Sequence, residues 1–590
     1  MRPRSLLLAI LTPLALPVVA QQTLGDGLVG LWGTESLLGP AVRGLVLVEE
    51  HDGMWTAQVA GMEGRSVATR EPRGAAGSRN GAIVSFPGRP EQLRLLAEQR
   101  GRRTALRGFW VQPAGNLPAY ATPLSFVPAG PGRWRATITP LDERFSLFFQ
   151  VTGDSGGALR AVARNPDYNW GARWPWFRLE LVDGGTAIAL IDPATGRQRF
   201  AQPYDSAQRR ITFDFGALLV ARPLEADAAP GFYPRPPHAA PYRYRVPADL
   251  GDGWRVAAAD RVGLDVELLA ELVRAISATN PADVRANDTM PRLHSLLVAR
   301  HGQLVLDEYF YGYAPDRPHD LRSASKTFTS VMAGIAMRGH PRFRAGTPLA
   351  ELMPRARGTE AGRATIGQLL THTSGLACDD DDDTSPGNED TMQAQSTDWY
   401  GHTLALPRAH PPGERYAYCS AGINLVGGAI AAVTGEWLPA FFERELARPL
   451  GIPWFAMNLM PSGEGYAGGG MHLRPRDFLK FGELYLRGGV WNGRRVVGAE
   501  WVQASTARQV DRPDDGSTDG YAWHRHTLVV EGQRFDSYEA GGNGGQFVTV
   551  IPALDLVVAT TAGNYGQYRI WRRIREELVP RYVMAAVRGR

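Results

Sequence analysis

Lysine is nearly missing from this chain. All but two of its 64 Lys and Arg residues are arginine, the exceptions being Lys326 and Lys480. Cysteine is as scarce, with only Cys378 and Cys419 in 590 residues. No Cys/His cluster or HExxH motif is present to hold zinc, and no metal or cofactor is expected. Beyond the N-terminus no stretch reaches about 18 uninterrupted apolar residues, which excludes stable membrane insertion. The arginines form no basic cluster and the net charge is only +4, so no nucleic-acid partner is expected.

What is present is ordinary globular composition, 44% hydrophobic and 21% charged, on a chain too long for one domain. It opens "MRPRSLLLAILTPLALPVVAQQ". Arg2 and Arg4, a short apolar run and a small-residue cleavage site make residues 1–20 a secretory signal peptide. The expected localisation is periplasmic or secreted, an oxidising setting in which Cys378 and Cys419 are able to pair. No cysteine follows the cleavage site to carry a lipid anchor.

Residues 24–225 have the texture of strands. Asp52-Gly53 and Asp183-Gly184 each separate two alternating runs, as hairpin turns do. The expectation is an all-β accessory domain, a sandwich or a barrel, which could contact a polymer or a protein partner. Residues 226–246 are a Pro-rich linker, semi-rigid and extended. In residues 247–590 the texture changes. "GLDVELLAELVRAI" has helical spacing. "HSLLVARHGQLVLDEYF" turns at His301-Gly302, "GQFVTVIPALDLVVATTAGN" turns near Pro552, and the C-terminal segment is helical. The fold class is α+β: a mixed antiparallel sheet flanked by helices, preceded by an all-β domain.

The chemistry centres on "LRSASKTFTS" (Leu321–Ser330). Ser323 and Lys326 stand three residues apart at the start of a helical stretch, so hydroxyl and amine share a face. A serine needs a neighbour to take its proton. Lysine can do that once burial lowers its pKa; arginine cannot. Proton transfer therefore explains a lysine kept in an arginine-using chain. "LLTHTSGL" (Leu369–Leu376), "PGERYAYCSAGINLVGGAI" (Pro412–Ile430), "GGGMHLRPRDFLKFGELYLRGG" (Gly468–Gly489) and "GGNGGQF" (Gly541–Phe547) follow in order.

In these motifs the chain resembles the penicillin-recognising serine hydrolases of the class C β-lactamase type, which include DD-peptidases, esterases and 6-aminohexanoate-dimer hydrolases. The resemblance runs from about Val246 to the C-terminus and implies a β-lactamase/transpeptidase-like fold. It assigns the nucleophile to Ser323, its lysine to Lys326 and the general base or acid to Tyr418. Ser420 stands where the family has an asparagine. The Lys-Thr-Gly strand motif falls near Glu539-Ala540-Gly541, without a cation. Ser420, Gly541, Gly542 and Asn543 are the expected oxyanion and substrate-binding group. Cys378 and Cys419 adjoin motifs that converge on this site and are the disulfide candidate.

Other features compete. Gly153-Asp154-Ser155-Gly156-Gly157 resembles a trypsin-like nucleophile motif but lacks partners other than His51. The acidic run Asp379–Asp383, with Glu389 and Asp390, lacks calcium-loop spacing and reads as solvated. His372 reads as a structural hydrogen-bonder, and the aromatics of Tyr168–Phe177 as β core. The expected function is a secreted serine hydrolase that cleaves esters or small amides through an acyl-enzyme on Ser323. The alternatives are a β-lactamase or DD-peptidase, and a binding or sensor protein on the same fold. Glu539 and the acidic run predict poor hydrolysis of β-lactams, unless an arginine such as Arg534 supplies a cation.

Overall fold

Both faces of the C-terminal sheet are buried, and the sequence pattern shows why. In the computed structural model of the chain, which describes residues 27–589 except 38–40, 53, 63–66, 71–80, 101–102, 116, 142–143, 155, 168–175, 215–217, 284–289, 396 and 514–515, nine strands form this sheet. Its central strands Leu293–Arg300, Gln546–Ile551 and Leu556–Ala562 read as nearly continuous apolar runs. Leu297, Ala299, Val548, Val550, Val557 and Ala559 point into one core. Leu296, Val298, Phe547, Ile551, Leu556 and Val558 point into the other. Alternation at period two thus fills two layers at once. All neighbours pair antiparallel except Arg255–Val256, which runs parallel to Gln303–Tyr309 and makes the sheet mixed.

Helices Ser325–Gly339, Ser420–Thr434 and Pro475–Leu486 cover the first face. Val266–Ser277 and the C-terminal helical segment cover the second. Asp265 starts Val266–Ser277 by accepting from the Glu267 and Leu268 N–H groups, which have no partner within the helix. His301 and Gly302 take positive φ at the expected hairpin turn, and Pro552–Leu554 forms the other.

The N-terminal strands build two bodies where one sandwich or barrel was expected. Gly30–Leu37 closes an eight-stranded barrel with strands from Arg144 to Pro223. The intervening strands pack around a separate core containing Trp110 and Trp134. Both Asp-Gly hairpins form, with Asp52 and Asp183 at positive φ. One strand of the second body, Tyr120–Ser125, pairs with Ala456–Asn458 of the C-terminal region, so a single sheet crosses between them.

The Pro-rich segment is strapped down. Phe232 is fully buried, Tyr242 joins the second core, and the Tyr244 hydroxyl donates to the Val305 carbonyl at 2.8 Å. Its prolines keep it extended, but aromatic side chains anchor it as they would a strand. The expected signal peptide, residues 1–20, lies outside the described residues.

Candidate active site

Arg322–Ala324 forms a tight helical turn that leads into helix Ser325–Gly339, and Ser323 sits in that turn. Arg322 adopts φ 50°, a conformation that costs about 1–3 kcal/mol in a non-glycine residue. Asp320 holds it there, accepting from the Arg322 N–H at 2.9 Å and pairing with its guanidinium. The helix is buried from Ser325 through Ala336. Two of its threonines tie it to the surrounding chain: Thr327 and Thr329 donate to the Ala522 and Ala467 carbonyls, each at 2.7 Å. Ser323 is therefore presented from a rigid support. Lys326 Nζ donates to Ser323 Oγ at 2.9 Å and lies 4.9 Å from the centre of the Tyr418 ring.

Lys326 departs from expectation in one respect. Burial disfavours its charge, but Tyr418, Glu389 and Asp380 together outweigh burial and raise its pKa. The resting lysine is an ammonium. Lys480, the other lysine, is fully buried and pairs with Asp477 at 2.7 Å. One retained lysine thus touches Ser323 Oγ and the other is structural.

Tyr418 ends an extended segment held between His372 and the disulfide Cys378–Cys419, whose Cα atoms are 5.4 Å apart. His372 Nδ1 accepts from the Cys419 N–H at 3.1 Å, and its ring packs 4.5 Å from that of Tyr418. Burial pushes the His372 pKa down to about 3, so it is neutral. Cys378 carries the acidic run to Tyr418. The Asp380 N–H donates to the Tyr418 carbonyl at 2.7 Å.

Asp381, Asp382 and Asp383 are exposed as expected, but Asp380 is half-buried and faces the cleft. Its carboxylate accepts from the Ser420 N–H and hydroxyl, at 2.8 and 2.6 Å, and from the Glu389 N–H at 2.9 Å. Ser420, expected to touch substrate, is instead fully buried beneath Asp380. Its hydroxyl is too short to reach the cleft past that carboxylate. Burial and Glu389 raise the Asp380 pKa to about 6.

Strand Gln533–Gly542 supplies the opposite wall. Its last pairing with His524–Val530 is at Glu539, so residues 540–542 pair only with Gln546–Ile551. The strand end closes on the nucleophile turn. A Cβ on Gly542 would lie 2.3 Å from the Leu321 carbonyl oxygen, which explains a glycine there. Gly541, Gly542 and Asn543 line a cavity with Ser323 and Tyr418, and Asn543 Oδ1 is held by the Gly566 N–H at 2.9 Å.

Glu539 does not project a bare charge. It is fully buried, accepts from Thr549 at 2.6 Å, and pairs with Arg575 at 3.1 Å. Arg534 is exposed at the far end of the strand and plays no part in this pairing. The cation comes from the C-terminal helix, an element that the motif pattern does not connect with Glu539.

Two cavities flank Ser323 and share Tyr418 and Asn543. One, of about 550 Å³, is acidic, lined by Asp380, Asp381 and Glu389. The other, of about 900 Å³, is mixed in charge, with Arg512, Arg572 and Arg575 alongside Glu414, Asp511 and Glu539. Sequence reasoning put the acidic run at the rim of the site but did not single out Asp380 or Glu389 within the cleft, and it missed Arg575. Only Asp380 left a signal, two positions after a cysteine expected to pair beside Tyr418.

The competing motifs are elsewhere. Ser155 lies outside the described residues, and its neighbour Asp154 caps an exposed turn by accepting from the Gly156 and Ala158 N–H groups. Of the Tyr168–Phe177 aromatics, residues 168–175 lie outside the described residues, and Phe177 is in the barrel core.

Residues 294–573 match the family model described as Beta-lactamase. The chain is 25% identical over 282 residues to a 6-aminohexanoate-dimer hydrolase of Paenarthrobacter ureafaciens, covering 45% of this chain and 71% of the relative. It is 25% identical over 273 residues to penicillin-binding protein 4 of Amycolatopsis lactamdurans, covering 40% and 70%. A solved penicillin-binding protein homologue from Caulobacter crescentus aligns at 16% identity and a TM-score of 0.43, over 56% of this chain and 98% of that one.

Proposed function

We propose that the chain, whose residues 294–573 match the Beta-lactamase family model, is a serine hydrolase of the β-lactamase/transpeptidase superfamily, exported, that cleaves esters or small amides through an acyl-enzyme on Ser323. The observation that carries this reading is the contact of Lys326 Nζ with Ser323 Oγ at 2.9 Å beside the Tyr418 ring, inside a cleft. Ser323 Oγ attacks the carbonyl. The Ser323 N–H and an N–H of the Gly541–Gly542 strand end receive the oxyanion. A protonated Lys326 cannot accept the serine proton, so the acceptor is whichever member of the Lys326–Tyr418 pair has given up its own: Tyr418 as phenolate beside the ammonium, or Lys326 as free amine beside the phenol. The two exchange protons as a coupled pair. Tyr418 delivers the proton to the leaving group and then activates water to release the acyl group. Intact Ser323, Lys326 and Tyr418 argue against a binding or sensor role.

The charge layout bears on substrate. Asp380 and Glu389 favour a cationic group in the smaller cavity. In the larger one Arg575 is taken up by Glu539, and Arg512 and Arg572 stand among Asp379, Glu414 and Asp511, so affinity for a carboxylate there rests on Arg512 and Arg572. A short amide with an amine at one end and a carboxylate at the other suits both, as a dimer of an amino acid such as 6-aminohexanoate would be. The arginines also support a second reading, β-lactam hydrolysis, because Arg575 neutralises Glu539 and removes one expected obstacle to a carboxylate.

A fluorophosphonate probe followed by peptide mapping tests the catalytic assignment. The adduct is expected on Ser323, with turnover abolished in Ser323→Ala and unchanged in Ser155→Ala. An adduct on Ser155 would overturn it. Nitrocefin turned over faster than the best ester or short amide would favour the second reading.

A further inference from the structure

The N-terminal β region reaches the catalytic cleft. Leu117, Pro118 and Leu141 line the smaller cavity together with Ser323 and Tyr418. The segment carrying Leu117 and Pro118 links strands Arg103–Gln112 and Tyr120–Ser125. It is held in place by the sheet that crosses between the two regions. Tyr120 pairs with Asn458, Ala121 pairs with Met457, and the Leu459 N–H donates to the Ala119 carbonyl at 2.6 Å. Leu141 is buried against Tyr120, Trp454 and Ala456, and Leu117 packs on this cluster. The Trp454 indole donates to the Thr139 carbonyl at 2.9 Å. On the other side of the cavity, the Tyr313 hydroxyl donates to the Pro166 carbonyl at 2.8 Å and Arg317 pairs with Asp167. Backbone pairing and buried side chains therefore fix this wall relative to Ser323.

We propose that the β region is part of the catalytic cleft and that its Leu117–Pro118 segment, backed by Leu141, selects the length of the alkyl chain on the substrate portion that enters the acidic cavity. Leu117 is half-buried and Pro118 exposed, so the segment offers apolar surface to a ligand. The rest of that cavity offers carboxylates, Arg317 and Arg322, and the ring faces of tyrosines such as Tyr313 and Tyr466, so Leu117 and Leu141 are its leucine side chains and its main branched aliphatic surface. An apolar wall there discriminates chain length by the methylenes it covers. This proposal rests on the serine-hydrolase reading. It gives the β region a role inside the reaction, beside the expected contact with a polymer or partner.

The test uses the full chain and two series, p-nitrophenyl esters from acetate to octanoate and acetate esters of 1-alkanols from ethanol to octanol. Varying the acyl and alcohol sides separately identifies which portion enters the cavity. In one series the wild type should prefer longer chains. Leu117→Trp fills the space and Leu117→Ala removes contacts, so both should lower the long-to-short ratio of kcat/KM, by at least about tenfold. The readout is the long-to-short ratio and not the rate on the shortest ester. Thermal unfolding identifies a variant that fails to fold, and the other variant then decides. A ratio unchanged in both series overturns the proposal, as does an equal loss at every length. Activity retained in Ser323→Ala would instead sink the serine-hydrolase reading. Abolished activity there, with an unchanged ratio in the Leu117 variants, removes only the wall.

Discussion

Lys326 donates to Ser323 Oγ while Tyr418, Glu389 and Asp380 keep it charged. Charge alone is not enough for the cycle, because the lysine must also lend and recover a proton. Lys326→Arg keeps the charge but cannot release a proton. Its kcat/KM should fall as far as that of Lys326→Ala, by about 10²–10⁴-fold. A folded Lys326→Arg enzyme with a near-normal rate would reduce the residue to a fixed charge. Asp380 gives a second residue-scale prediction. Its carboxyl ionises as pH rises through about 6, so KM for a cationic substrate should fall between about pH 5 and 7 while that of a neutral ester does not. Asp380→Asn keeps an acceptor for Ser420 and should flatten this difference. The folded-state pKa is raised above 3.8, so the stability that Asp380 contributes when protonated is lost as pH climbs from about 4 to 6. Asp380→Asn should therefore melt higher than wild type at about pH 8 and not at about pH 4; the opposite pattern would contradict the raised pKa.

Strand Gln533–Gly542 and the turn Arg322–Ala324 form a pair of elements whose separation sets the oxyanion geometry. Gly542 permits their approach. Its Cβ would meet the Leu321 carbonyl oxygen at 2.3 Å and the Ala324 nitrogen at 3.1 Å, both backbone atoms. Gly542→Ala should move the turn and lower kcat by about 10²-fold, because a displacement near 1 Å is costly at a reacting centre. At Gly541 the nearest obstacle is the His524 ring, at 3.1 Å, which can give way. Gly541→Ala should be the milder change, and equal effects would argue against a close-approach role. The segment around Cys378 and Cys419 works as one element too. The disulfide joins the acidic run to Tyr418, and Ser420 fastens Asp380 from below.

At the scale of the whole molecule the β region and the C-terminal region share a sheet, a buried cluster and a cavity. Phe109 of the β region packs edge-on against Trp437, with ring centres 5.3 Å apart, and Arg94 stacks over the same indole at 4.1 Å. Residues 247–590 expressed alone would expose these aromatics and the unpaired edge of Ala456–Asn458. That fragment should aggregate, or melt at least about 10 °C below the full chain. A soluble fragment with unchanged melting temperature would show that the regions are joined only loosely.

Local and short-range features were legible in the sequence because they depend on neighbours along the chain. Helical spacing in Val266–Ser277, the positive-φ turns at Asp52, Asp183 and His301, and the two apolar hairpins need no distant partner to be recognised. Ser323 and Lys326 share a face because they are three residues apart, and ordered motifs pointed to Tyr418. The tertiary structure alone decided the rest. Burial lowers a lysine pKa in isolation, but the sign for Lys326 depends on carboxylates more than fifty residues away. Glu539 reads as a negative site until Arg575 is brought against it from the C-terminal helix. Asp380 reads as part of a solvated run until Ser420 and the disulfide hold it in the cleft. Leu117 carries no catalytic pattern; only the pairing of Tyr120 with Asn458 brings it to the cavity. Fields and walls are sums over residues distant in sequence, and folding sets the distances in those sums.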